Sequence, residues 1–73
     1  MKVKELIEKL KTFPEDNLVV VNGYEGGFSD VDLVKALKVK LNVNPESYNG
    51  PHDDAKDADT NVVLIQRREN SDN

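Results

Sequence analysis

The stretch that decides the fold is residues 2–21, KVKELIEKLKTFPEDNLVVV, which holds two predicted elements and the turn between them. In its first part, apolar side chains recur at steps of three, one, three and three residues, which places them on one face of an α-helix. They are Val3, Leu6, Ile7, Leu10 and Phe13. Pro14 disfavours helix in the residue before it, so the pattern predicts a helix over 2–12 and a turn over 14–17.

Three strands are predicted after this helix. The first, over 18–21, is a run of four apolar residues, which is typical of a strand buried on both faces. The second shows alternation of apolar and polar residues that is clean over 37–43. The third covers 62–65 and continues to residue 67.

Two polar segments separate these strands. Residues 22–30, NGYEGGFSD, contain three glycines and are predicted to form a loop. Residues 44–60 have almost no apolar side chains and contain two prolines, which predicts a long loop. A single helical turn over 29–34 stays open as an alternative, because Ser29 and Asp32 have the spacing of a capping box.

The order of these elements predicts an α+β fold with the topology α-β-β-β, in which the N-terminal helix packs on a three-stranded antiparallel sheet. The predicted core joins the helix face to strand residues Leu18, Val20, Leu37, Val39, Leu41, Val62 and Leu64. Burial of the helix face implies that Leu6→Ala or Leu10→Ala would cost about 2 to 5 kcal/mol. A single domain is expected over 1–67, and a disordered tail over 68–73.

Composition limits the classes of function. The chain has 73 residues, no cysteine and one histidine, which excludes thiol catalysis and thiolate metal sites and fits a cytoplasmic location. Charged residues interrupt the short apolar run near the N-terminus, so neither a signal peptide nor a membrane span is expected. A chain of this length buries only about 60% of the surface that it exposes when unfolded, so a homodimer is the expected further source of stability.

The net charge of -4 lies entirely in residues 44–73, which contain three basic and seven acidic residues. An acidic segment opposes binding to the phosphates of nucleic acid, so nucleic acid is not an expected partner. Asp57, Asp59 and Asn61 have the first spacings of a calcium-binding loop, but Val62 stands where glycine is needed. A solvated acidic loop is the preferred interpretation.

Catalytic patterns are not evident. His52 beside Asp53 and Asp54 could act as a base, but an exposed or capping histidine is the default for such a polar segment. The glycine-rich 23–27, GYEGG, matches neither phosphate-binding fingerprint, and Glu25 would repel a phosphate. We therefore predict no catalytic residue, no metal and no cofactor.

Aromatic side chains mark the candidate binding sites, because tyrosine beside glycine and asparagine suits recognition surfaces. Packing of Tyr24, Tyr48 and His52 between the two loops is the alternative interpretation. The predicted binding residues are Tyr24, Glu25, Phe28, Tyr48 and His52.

Residues 2–21, together with GYEGGFSDV at 23–31 and YNGPH at 48–52, resemble a group of small bacterial proteins that are often carried by prophages or other mobile elements. The resemblance implies the α-β-β-β fold and a bacterial cytosolic setting. It supplies no activity and no catalytic residue.

Three functions are compatible with these features of the sequence. The leading hypothesis is a non-catalytic interaction module that binds a protein partner through the two loops. The second is an acidic inhibitor that imitates nucleic acid and occupies a basic site on a host or phage nucleoprotein. The third is a small metal-dependent or histidine-assisted enzyme.

Overall fold

The computed structural model describes residues 1–69 and confirms the α+β topology α-β-β-β. The three strands form one antiparallel sheet in the order β1-β2-β3, so β2 is the central strand and β1 and β3 are the edges. The elements are α1 at Val3–Leu10, β1 at Val20–Asn22, β2 at Phe28–Val39 and β3 at Thr60–Arg67.

Backbone contacts group the described residues into two compact units. Unit 1 comprises residues 1–33 and 65–69, with α1, β1, the first half of β2 and the end of β3. Unit 2 comprises residues 34–64, with the second half of β2, most of β3 and the connection between these strands. The single domain over 1–67 stays a prediction, and residues 70–73 of the predicted disordered tail lie outside the described residues.

The helix forms where the apolar period predicts it. At its start, the Lys2 N–H donates a hydrogen bond of 2.8 Å to Glu5 Oε1, and the Lys2 carbonyl accepts from the Glu5 and Leu6 N–H groups. The Asn17 N–H donates to the Pro14 carbonyl at 3.1 Å, which confirms the predicted turn over 14–17. An acidic side chain in the first turn also complements the positive end of the helix dipole.

Strand β1 departs from the prediction. It begins at Val20, two residues later than expected, and its pairing runs from Val20 opposite Asp30 to Asn22 opposite Phe28. Leu18 precedes the first paired residue and is 88% exposed. The prediction of a strand buried on both faces is therefore wrong, because β1 is a three-residue edge strand.

Strand β2 is longer and earlier than predicted. It begins at Phe28, inside the predicted loop, and ends at Val39 instead of continuing through residue 43. The helical turn considered for 29–34 is wrong, because β2 runs through these residues. Pairing with β1 fixes the early start, and the Asn42 backbone, with a φ of 57°, has left the extended conformation at the other end.

Burial is much smaller than the predicted core implies. Val39 is the only buried residue among those that the structure describes. Half-buried positions from the predicted core are Leu6, Leu37, Val62 and Leu64. The other predicted core residues are exposed, namely Val3, Ile7, Leu10, Phe13, Leu18, Val20 and Leu41.

The total surface agrees with this pattern. The chain exposes 6708 Å², whereas a folded monomeric protein of 8.2 kDa exposes about 4,500 Å². A side chain that stays about half exposed loses little on truncation. In a single chain, Leu10→Ala would therefore lower the free energy of unfolding by less than the 2 to 5 kcal/mol, roughly, that the predicted core implies.

Candidate functional site

Strands β1 and β2 form a hairpin, and its loop lines one side of an open groove in unit 1. We call this surface the Tyr24 groove. Its volume is about 560 Å³. The loop and the start of β2, residues 23–29, line it together with Arg67 and Glu69 from the end of the described chain. It thus brings together three of the predicted binding residues, Tyr24, Glu25 and Phe28.

Backbone geometry sets the shape of the loop in this hairpin. The Gly23 N–H donates to the Gly27 carbonyl at 3.0 Å and closes the loop next to the last pair of β1. A Cβ atom at Gly23 would collide with the Gly26 carbonyl oxygen. Gly27 has a φ of +64°, a conformation that glycine adopts with little cost. These two glycines therefore fix where Tyr24 and Glu25 are displayed.

Tyr24 is 81% exposed. The Arg67 Cζ atom lies 5.5 Å from the centroid of its ring, which is a cation–π distance. Arg67 itself is half-buried, and its Nη2 atom lies 4.0 Å from Glu69 Oε1. The ring of Tyr24 is thus exposed to solvent while the Arg67 guanidinium lies over it.

Sequence reasoning missed Arg67, because its contact with Tyr24 depends on the order of strands in the sheet. The end of β3 is tied to β2 by two contacts of the next residue. The Arg68 N–H donates to the Asp30 carbonyl at 2.8 Å, and Arg68 Nη1 lies 3.7 Å from Asp30 Oδ2. The available signal was a pair of arginines at the predicted end of β3.

Tyr48 and His52, the other predicted binding residues, belong to unit 2. Tyr48 is 83% exposed. His52 is exposed and its Nδ1 atom accepts a hydrogen bond of 3.1 Å from the Asn42 N–H. This bond serves a residue with positive φ, so the observed role of the histidine is to cap the backbone of a turn.

The long connection of unit 2 is held by polar contacts around Lys40. The Lys40 Nζ atom lies 3.6 Å from Asp57 Oδ2 and 3.5 Å from Asp59 Oδ2. The charge of Asp59, followed by that of Asp57, raises the pKa of Lys40. A hydrogen bond from Thr60, and then the charge of Lys40, lowers the pKa of Asp59. The two carboxylates with calcium-loop spacing thus share an ammonium group.

A second set of contacts centres on Asp53. Its backbone pairs with that of Lys40 through hydrogen bonds of 2.9 and 3.2 Å. Asn44 Nδ2 donates to Asp53 Oδ2 at 3.0 Å and to the Gly50 carbonyl at 2.8 Å. The bond from Asn44, with one from the Asp54 N–H, lowers the pKa of Asp53. The predicted loop is therefore folded back on itself by hydrogen bonds.

A second groove of unit 1 is apolar and lies where a core was predicted. Its volume is about 580 Å³. The end of α1 supplies Leu10 and Phe13, and the segment entering β1 supplies Leu18, Val19 and Val20. The sequence does not predict that this apolar face is exposed, because the same periodic pattern occurs whether such a face is buried or open to solvent.

Residues 1–69 contain neither a metal-binding cluster nor a helix of membrane-spanning length. No group of three or more histidine, aspartate or glutamate side chains is arranged there to hold a metal ion. The described helix, α1, has eight residues and falls well short of the length that a membrane crossing requires.

Comparisons with protein-family models, curated proteins and solved structures find no match for the chain. The resemblance to small prophage-associated bacterial proteins therefore stays a prediction. The surfaces of the two units are the features from which a function can be inferred.

Proposed function

We propose that the protein is a small non-catalytic interaction module that binds a protein partner through the Tyr24 groove, with the Tyr48 loop as a second contact. The observation that carries this proposal is the display of Tyr24, which is 81% exposed while Arg67 lies against its ring. Tyrosine and arginine are enriched among the residues that contribute most to protein interfaces. An aromatic ring with a fixed neighbour also loses less conformational entropy on binding.

The shape of the groove favours a protein over a small molecule. Small-molecule sites are enclosed and bury most of the ligand surface. The Tyr24 groove is open, and it combines Phe28, which is 77% exposed, with the charges of Glu25 and Arg67. Such a mixture of aromatic and charged groups suits a polar segment on the surface of another protein.

The biological setting belongs to the same proposal. The absence of cysteine and the resemblance to prophage-carried proteins support a bacterial cytoplasmic role. The thin core supports a homodimer as the functional form. The proposed module therefore acts as a dimer that presents two copies of the Tyr24 groove.

Affinity capture from a bacterial lysate, with identification by mass spectrometry, tests the groove. The variants are Tyr24→Ala and Tyr48→Ala, and the matched control is Val34→Ala, which removes a side chain that is 62% exposed in unit 2. We expect Val34→Ala to capture the same partner as wild type. We expect Tyr24→Ala to weaken binding of the purified partner by about thirtyfold. Identical capture by Tyr24→Ala and wild type would count against the groove.

The acidic-inhibitor hypothesis has weaker support, because Asp57 and Asp59 already share the ammonium group of Lys40. The same capture experiment separates it from the groove. Binding that is lost between low and moderate salt, and that does not depend on Tyr24, would favour an acidic surface that occupies a basic site. Binding that depends on Tyr24 at both salt concentrations favours the groove.

A further inference from the structure

We infer that a second copy of this chain covers the apolar face of unit 1. This inference rests on the homodimer proposed above and assigns its interface, which is separate from the Tyr24 groove. We call this surface the α1 face. It consists of Val3, Ile7, Leu10, Phe13, Leu18, Val19 and Val20.

The α1 face is apolar and exposed. Leu18 is 88% exposed and Phe13 is 59% exposed. None of the described residues of unit 1 is buried, although this unit holds the most regular apolar pattern of the sequence. A large contiguous apolar surface on a small protein marks a site that another molecule covers.

The exposed area is large enough for a stable dimer. The chain exposes 6708 Å², which exceeds the expectation for a monomer of its mass by about 2,200 Å². A standard interface buries about 800 Å² on each partner, and obligate dimers bury more. Taken over the whole chain, this excess is larger than the area that one copy contributes to a standard interface.

Charge favours a second copy over a partner of strong charge. The segment that carries the α1 face, residues 1–20, is electrically neutral, with four lysines and four acidic residues. Two such segments can face each other without net repulsion. A strongly basic partner would instead be attracted to the acidic residues after position 43.

The α1 face contains both a groove and a strongly exposed side chain. The apolar groove of about 580 Å³ lies between the end of α1, at Leu10 and Phe13, and the segment entering β1. Leu18 is one of the residues that line this groove and is the most exposed aliphatic side chain of the face. In a two-fold dimer, one surface patch meets the same patch, so each copy places Leu18 at the groove of the other.

Sedimentation equilibrium over a range of protein concentrations tests this interface. Wild type is compared with Leu18→Lys and with the control Val34→Lys, which adds the same charge at an exposed valine of unit 2. We expect wild type and Val34→Lys to reach twice the chain mass of 8.2 kDa. We expect Leu18→Lys to raise the dimer dissociation constant at least about thirtyfold. As a control for folding, the far-ultraviolet circular dichroism spectrum of the Leu18 variant should match that of wild type, because the Leu18 side chain is exposed.

Three results would overturn the inference. They are a wild type that stays at the mass of one chain, a Leu18→Lys dimer as strong as wild type, and equal weakening by both lysine variants. The partner-capture experiment separates this failure from failure of the Tyr24 groove. A monomeric chain that still captures a partner through Tyr24 disproves only the dimer interface, and a dimer with Tyr24-independent capture disproves only the groove.

Discussion

The two units achieve order in different ways. Unit 1 contains the periodic helix and most of the large apolar side chains, yet none of its described residues is buried. Unit 2 contains Val39, the one buried side chain among residues 1–69, and a connection held by side-chain and backbone hydrogen bonds. The polar groups of unit 2 form hydrogen bonds with one another, whereas unit 1 exposes an apolar surface that another chain can cover. Regular apolar periodicity is therefore no measure of how much a single chain buries.

Replacement of Val39 tests the unit 2 side of this comparison and has the largest expected effect. Val39→Ala removes two methyl groups from a side chain that is only 7% exposed. We expect a loss of about 2 kcal/mol in the free energy of unfolding, measured by chemical denaturation. The control Val34→Ala, on the same strand, should change it by less than about 0.5 kcal/mol. Equal losses in the two variants would show that Val39 is not the centre of the core.

The hairpin of unit 1 depends on backbone conformation, since packing around it is sparse. Gly27→Ala places a Cβ atom at a φ of +64°, and we expect this change to cost about 1 to 2 kcal/mol. The control is Gly50→Ala, at which a Cβ atom meets no atom within 4 Å. Thermal unfolding should separate the two variants, and a Gly27 variant as stable as the Gly50 variant would contradict the loop geometry.

The hydrogen bonds of unit 2 predict a pH dependence. The pKa values of Asp53 and Asp59 are lowered by folding, so their stabilisation is present above the unfolded pKa of about 3.9. This stabilisation is lost as the pH falls through the lowered values of the folded state. The pKa of Lys40 is raised, so its contribution is lost only as the pH rises through that raised value.

Carboxylate titration by NMR assigns the causes of the Asp59 shift. Thr60→Val removes the hydrogen bond to Asp59, which is the largest single cause of the shift, and should raise the pKa of Asp59. Lys40→Met removes the neighbouring charge together with its hydrogen bond and should also raise the pKa of Asp59, while the control Lys38→Met should leave it unchanged. An Asp59 pKa that is the same in all three variants would exclude these contacts as its cause.

The smallest expected effect on stability belongs to Tyr24. Because its side chain is 81% exposed, Tyr24→Ala should change the free energy of unfolding by less than about 0.5 kcal/mol. Chemical denaturation of this variant beside wild type provides the measurement. A loss above about 1 kcal/mol would favour the alternative in which Tyr24 is a structural packing residue.

Local sequence signals predicted the elements that depend on local interactions. The helix follows from the spacing of apolar residues before Pro14, and β3 follows from the short apolar run over 62–65. The start of β2 was missed because it depends on pairing with β1, which a positive φ at Gly27 permits. Periodicity identified the apolar side of the helix, but it does not tell whether this chain or another covers that side.

Part of the Tyr24 groove could also be predicted from the sequence. Tyr24 and Phe28 are predicted as binding residues because they are aromatic and lie in a glycine-rich segment, and both line one groove. Arg67 was missed because it reaches Tyr24 from a strand that is distant in sequence. Contacts between distant segments depend on strand order, which local pattern does not encode.

Amide hydrogen exchange of the wild type at two protein concentrations tests the central claim most directly. If a second copy covers the α1 face, the amides of α1 and of Leu18–Val20 become more protected as the concentration rises through the dissociation constant. The hydrogen-bonded Lys40 and Asp53 amides of unit 2 should show a much smaller change. Protection of α1 that is already complete at the lowest concentration, and equal at both, would show that one chain covers this face by itself.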